Sequence, residues 1–139
     1  MYHFEISLHA RPIVASLGTP IELSGRTIIP LKTQLSQPMS VSFEQAAERL
    51  AQFPRMFIEP DGSFVWVSSD KNDPWQVDGT LYDREDKLLF VELKGCCPRQ
   101  QFDQLLTAFG WPDAELVFQL TWQAVVVAEN EFRQFVCHK

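Results

Sequence analysis

Basic charge is scarce in this 139-residue chain: Lys and Arg number 12 against 18 Asp and Glu, a net charge of −6. That balance argues against a broad phosphate-binding surface, although a local basic patch remains compatible with it. Cysteine is scarcer still. Cys96, Cys97 and Cys137 are an odd, small set, which argues against a disulfide framework and fits a reducing compartment. No Cys-x-x-Cys spacing occurs. Cys96-Cys97 with Cys137-His138 would supply soft ligands, but adjacent ligands rarely aim at one metal, and small buried thiols are the simpler reading. Long apolar runs are missing too. The densest, residues 124–128, falls far short of the roughly 18 needed to span a bilayer. Met1-Tyr2-His3-Phe4-Glu5-Ile6 lacks a basic segment followed by an apolar one. The expectation is a soluble, cytoplasmic protein with no membrane partner. Neither a glycine-rich phosphate loop nor a Ser/His/Asp ordering stands out.

Core material, by contrast, is plentiful. Hydrophobic residues make up 45% and aromatics 12%, with 11 Phe and 4 Trp, which excludes a disordered chain. The length suits one domain spanning residues 1–139. Most of Trp66, Trp75, Trp111 and Trp122 are expected as core anchors, with room for an exposed binding aromatic among them.

Residues 2–9 alternate, with Tyr2, Phe4, Ile6 and Leu8 on one side and His3, Glu5, Ser7 and His9 on the other. That is the period of a half-buried strand, and its polar side reads as a solvated face before it reads as a metal site. Apolar pieces at 13–17, 21–23 and 27–35 are interrupted by Pro12, Pro20, Pro30 and Pro38, which points to edge strands or irregular segments. A helix is expected over 43–53. Ser42 and Gln45 form a capping box, Phe43, Ala46, Ala47 and Leu50 make the buried stripe, and Pro54 is the stop. Pro60-Asp61-Gly62 then turns a hairpin between 56–59 and 63–68; the second of these is apolar on both faces and reads as a central strand. A second hairpin joins 77–83 to 87–95 through Arg84-Glu85-Asp86. Another helix opens near Pro98, buries Phe102, Leu105, Leu106 and Phe109, and ends at Gly110 and Pro112. Strands at 116–121 and 124–128 and a short helix at 131–136 follow. The order predicts an α+β domain with a mainly antiparallel mixed sheet, two principal helices and a short C-terminal helix, the helices on one or both sheet faces.

The second hairpin holds the one constellation with chemistry in it. Pairing Asp83 with Lys87 puts Asp78 directly opposite Glu92, with Cβ atoms roughly 4.5–5.5 Å apart. Val77, Leu81, Leu89, Val91 and Leu93 then make the core face, while Asp78, Thr80, Tyr82, Leu88, Phe90, Glu92 and Lys94 share the other. Two opposed carboxylates repel unless they are solvated, unless one is protonated, or unless a cation lies between them, and Mg²⁺ accepts such a pair together with water. Lys94 on the same face would position a metal-bound water or stabilise a phosphoryl transition state. The simpler alternative is a solvated face with a Lys94–carboxylate ion pair.

Val77-Asp78-Gly79 followed by Glu92-Leu93-Lys94 resembles the PD-(D/E)xK nuclease core, an aspartate on one strand and Glu-x-Lys on the next. The resemblance covers about two-thirds of the chain and a similar order of elements, with an additional strand after the first helix. It implies that Asp78 and Glu92 bind a divalent metal, that Lys94 supports catalysis, and that Glu44 or Glu48 supplies a further carboxylate from the first helix. Two functional expectations result. The first is a non-catalytic binding or regulatory module, acting on a protein partner or as a homodimer. The alternative is a Mg²⁺-dependent nuclease or phosphodiesterase using Asp78, Glu92 and Lys94, with nucleic acid as partner only in that case.

Overall fold

The computed structural model describes residues 1–137. Its frame is a seven-stranded, wholly antiparallel sheet. Four short strands come early in the chain: β2 (Ala15–Leu17) pairs with β5 (Leu31–Thr33), and β3 (Ile21–Leu23) with β4 (Arg26–Ile28), as two separate ribbons. The prolines around them explain their length, since each removes a ladder donor. The large sheet is made by β1 (Tyr2–Ala10), β6 (Met56–Ile58), β7 (Ser63–Val67), β8 (Gln76–Arg84), β9 (Lys87–Cys97), β10 (Leu116–Leu120) and β11 (Val125–Ala128). Across the sheet they run β11-β10-β1-β9-β8-β7-β6. The α+β class expected from the sequence is therefore the observed one, with strands 63–67 placed beside the edge strand β6 and the centre occupied by β1 and β9.

Three helices complete the described residues: α1 (Phe43–Ala51), α2 (Arg99–Thr107) and α3 (Glu129–Cys137). The Ser42 hydroxyl accepts from the Gln45 N–H, and the Gln45 side chain accepts from the Ser42 N–H, so the capping box forms as read. Its neighbour in space is the β8–β9 turn: the Phe43 N–H donates to the Asp86 carbonyl (3.2 Å) and the Glu44 N–H to the Asp86 carboxylate (3.4 Å). Buried residues of every helix, Ala46 and Leu50 from α1, Phe102, Leu105 and Leu106 from α2, Phe132 and Phe135 from α3, join one cluster with one face of the sheet. On that face Phe102 meets Tyr2, Phe4, Phe118 and Phe132, and Phe118 stacks on Phe132 at 4.5 Å between ring centres. Gly79 belongs to the same face. It pairs with Phe64, whose ring occupies the space a Cβ would need, so glycine here makes room for an aromatic ring. No helix among the described residues is long and apolar enough to cross a membrane.

The Pro60-Asp61-Gly62 turn forms with Gly62 at φ +96°, and Asp61 accepts from both the N–H and the hydroxyl of Ser63. The other hairpin departs from expectation in two steps. Arg84 pairs with Lys87, so the turn holds only Glu85 and Asp86, both at positive φ (52° and 65°), the geometry of a type I′ turn. A bulge between Tyr82 and Asp83 then adds one more offset: Asp83 faces Leu88, but Tyr82 faces Phe90. Leu88 consequently enters the core and Leu89 is only half-buried, the reverse of the sequence reading.

Candidate functional site

Side chains on a strand alternate between faces, so the positions between the core residues of β1, β8 and β9 share the face away from the helices. The two offsets in the hairpin add to two residues. Parity is kept, and Asp78, Glu92 and Lys94 do share that face, but the ladder has slid by one pair. Asp78 lies directly opposite Lys94, and Glu92 opposite Thr80. The expected direct Asp78–Glu92 pair does not form; the two carboxylates are diagonal neighbours. On the other side of β9, Glu5 faces Lys94 and Ser7 faces Glu92. One row across the strands thus reads Glu5, Lys94, Asp78, Val65, Phe57, and the next Gln119, Ser7, Glu92, Thr80, Ser63.

This register replaces repulsion by alternation of charge. Lys94 Nζ lies 3.7 Å from Glu5 Oε1, with the Lys94 side chain 72% exposed, so the pair contributes well under 1 kcal/mol, or about zero. Asp78 Oδ1 accepts from Gln76 Nε2 at 2.9 Å. Glu92 accepts from the Tyr82 hydroxyl. That hydrogen bond raises the Tyr82 phenol above its ordinary value, with desolvation and the Glu92 charge adding to it. Glu5, Asp78, Thr80, Glu92, Lys94 and Thr121 line a shallow depression of about 220 Å³.

The donor set fits a metal only in part. Each of Asp78 and Glu92 keeps a second oxygen outside these bonds, yet their first oxygens are held by different neighbours. Among the described residues no three His, Cys, Asp or Glu side chains gather closely enough to hold an ion. Glu44 and Glu48 are not brought to the depression: α1 packs on the opposite face of the sheet and its first turn is tied to Asp86. Cys96 is half-buried on the uncovered face, opposite His3 and Gln76, while Cys97 is buried on the core face, where desolvation pushes its thiol up to about 12. The side chain of Cys137, and His138, lie outside the described residues.

One polar network was not legible in the sequence. Ser7 and His9 are buried, not solvated as the alternation of β1 suggested. The Ser7 hydroxyl lies 2.8 Å from His9 Nε2 and donates to Gln119 Oε1 at 3.2 Å. Ser7 thus bridges His9 and Gln119, and the direction of its bond with His9 follows the imidazole tautomer. Burial lowers the pKa of His9, a shift that a side-chain hydrogen bond with Gln119 opposes. The imidazole stacks on Phe90 (5.3 Å), and Phe90 on Tyr82 (4.5 Å), forming an aromatic row beside the depression. Only the long-range pairing of β1 with β9 creates this row; Ser-x-His on one strand was its single local trace.

The architecture defines the protein as an α+β domain with an antiparallel sheet that carries all three helices on one face and, on the other, is open around Asp78, Glu92 and Lys94 while Ser7 and His9 are buried. No family model, curated protein or solved structure matches the chain.

Proposed function

We propose that this chain is a non-catalytic binding module and that its ligand surface is the uncovered face of the seven-stranded sheet. The observation that supports this most is the division of labour between the two faces. All three helices bury their apolar residues against one, whereas the other presents Phe57 at 61% and Tyr82 at 37% exposure beside a polar depression. Large side chains half out of water next to fixed polar groups are the composition of a recognition surface.

A second reading is favoured by one observation: Asp78, Glu92 and Lys94 line the same depression, as a Mg²⁺-dependent phosphodiesterase of the PD-(D/E)xK kind would require. Against it stand the diagonal placement of the acids and the absence, among the described residues, of three metal-ligating side chains gathered closely enough to hold an ion. The two readings separate in a Mg²⁺ and Mn²⁺ titration of wild type and Asp78→Ala, followed by melting temperature and by cleavage of single- and double-stranded DNA and RNA. The binding module is expected to show no metal-dependent shift that Asp78→Ala removes and no metal-dependent cleavage. Cleavage that is lost in both Asp78→Ala and Lys94→Ala transfers the face to the enzymatic reading.

A further inference from the structure

Charge decides what kind of partner suits this face. Glu5, Asp78 and Glu92 outnumber the single ammonium of Lys94 around the depression, and the whole chain carries −6. A second copy laid face to face would set the same excess of negative charge against itself, which costs association free energy unless every acid finds a cation. Acidic ligands and nucleic acid meet the same repulsion. The surroundings add a second requirement. Along the row that begins Glu5, Lys94, Asp78, the next two side chains are Val65 and Phe57, both apolar. At the other end Thr121 lines the depression. From β10 to β6 the row crosses five strand spacings, about 24 Å, the length of about seven extended residues.

We infer that the uncovered face docks an extended segment of a partner protein bearing Lys or Arg among apolar side chains, its cations beside the carboxylates of Glu5, Asp78 and Glu92 and its apolar groups against Phe57 and Val65. The inference rests on the binding-module reading and adds the chemical class of the partner. Tyr82, held by Glu92 and stacked on Phe90, is fixed in advance as one wall of the site. A small polyamine would satisfy the acids but leave the apolar end of the row, Val65 and Phe57, unused.

The test is amide chemical-shift mapping on ¹⁵N-labelled full-length protein with three probes: a synthetic nonapeptide alternating Lys and Leu, the same peptide with Glu for Lys, and spermine. The Lys/Leu peptide is expected to shift the amides of Glu5, Asp78, Thr80, Glu92 and Val65, to bind more weakly as salt rises, and to lose about ten-fold or more in affinity in Asp78→Lys. Both acids are exposed, so the spectrum away from the face serves as the folding control, and Glu92→Gln provides a milder second variant, expected to lose a few-fold. Equal binding of the Glu/Leu peptide to the same amides would overturn the charge class and leave the face as a ligand surface. Spermine binding as tightly as the Lys/Leu peptide would overturn the choice of a protein segment. Peptide shifts confined to other parts of the molecule, or none at millimolar peptide, would overturn the inference, and the first of these would also remove the binding-module reading.

Discussion

The two faces of this sheet are made by the same strands and hold opposite kinds of chemistry. On the covered face, Tyr2, Phe4, Ile6, Val77, Leu81, Val91 and Leu93 meet three helices and lose nearly all contact with water. On the uncovered face, the residues between them form short-range polar pairs: Glu5 with Lys94, Gln76 with Asp78, Tyr82 with Glu92. The first set carries the stability, since burial of apolar area is the dominant favourable contribution. The second contributes little to folding because its charges remain hydrated. A face that presents exposed aromatics and hydrated charges, with little bearing on stability, is free to be selected for recognition.

Substitutions on either side put that contrast to the test. The largest loss is expected for Phe102→Ala, which empties the point where Tyr2, Phe4, Phe118 and Phe132 converge; urea unfolding should show about 3–5 kcal/mol. Gly79→Ala comes next. Its methyl group must displace the Phe64 ring, at about 1–3 kcal/mol, again read from the urea midpoint. A neutral result there would mean that the Phe64 ring does not lie over Gly79 as described.

A smaller effect depends on pH. Burial holds His9 below its ordinary value of 6.5, so on acidification the unfolded chain binds this proton before the folded one does. The stability linked to His9 is therefore intact above about pH 6.5, is lost as pH falls below it, and levels off once the folded imidazole is protonated too. His9→Gln should flatten the wild-type slope between pH 7 and 5 in thermal melts; an unaltered slope would place the acid-sensitive group elsewhere. The smallest change in stability belongs to Asp78→Ala and Lys94→Ala, each expected within about 0.5 kcal/mol of wild type. A loss several times larger in either would show that the charged row is part of the core structure. Thiol chemistry gives a matching contrast: peptide mapping after brief alkylation of the native protein should find Cys96 modified and Cys97 spared, because Cys97, unlike Cys96, is fully buried, with its thiol held protonated.

What the sequence revealed of this fold follows the range over which each signal acts. The Ser42/Gln45 box, the Phe102-Leu105-Leu106-Phe109 stripe, the Pro60-Asp61-Gly62 turn and the alternation of β1 are set by residues within a few positions of one another, and all were legible. The register of β8 on β9 was not. Glu85-Asp86 lacks the glycine or asparagine that normally announces a type I′ turn, and a bulge leaves no signature in composition. Each shifted the ladder by one residue. Together they preserved which residues share a face and changed which of them are opposite, so Asp78, Glu92 and Lys94 were brought to one depression in a different order. The burial of Ser7 and His9 was hidden for a related reason: an alternating strand reads as half-solvated, and only long-range pairing brings Gln119 of β10 to Ser7 and the Phe90 ring of β9 against His9.

The most direct measurement is paramagnetic broadening of side-chain and amide signals by a neutral gadolinium chelate added to the free protein. Signals of Asp78, Tyr82, Glu92 and Lys94 should broaden strongly, while those of Val77, Leu81, Val91 and Leu93, one residue away on the same strands, should be spared. Equal broadening of both sets, or protection of Asp78, Tyr82, Glu92 and Lys94, would contradict the description of one covered and one open face.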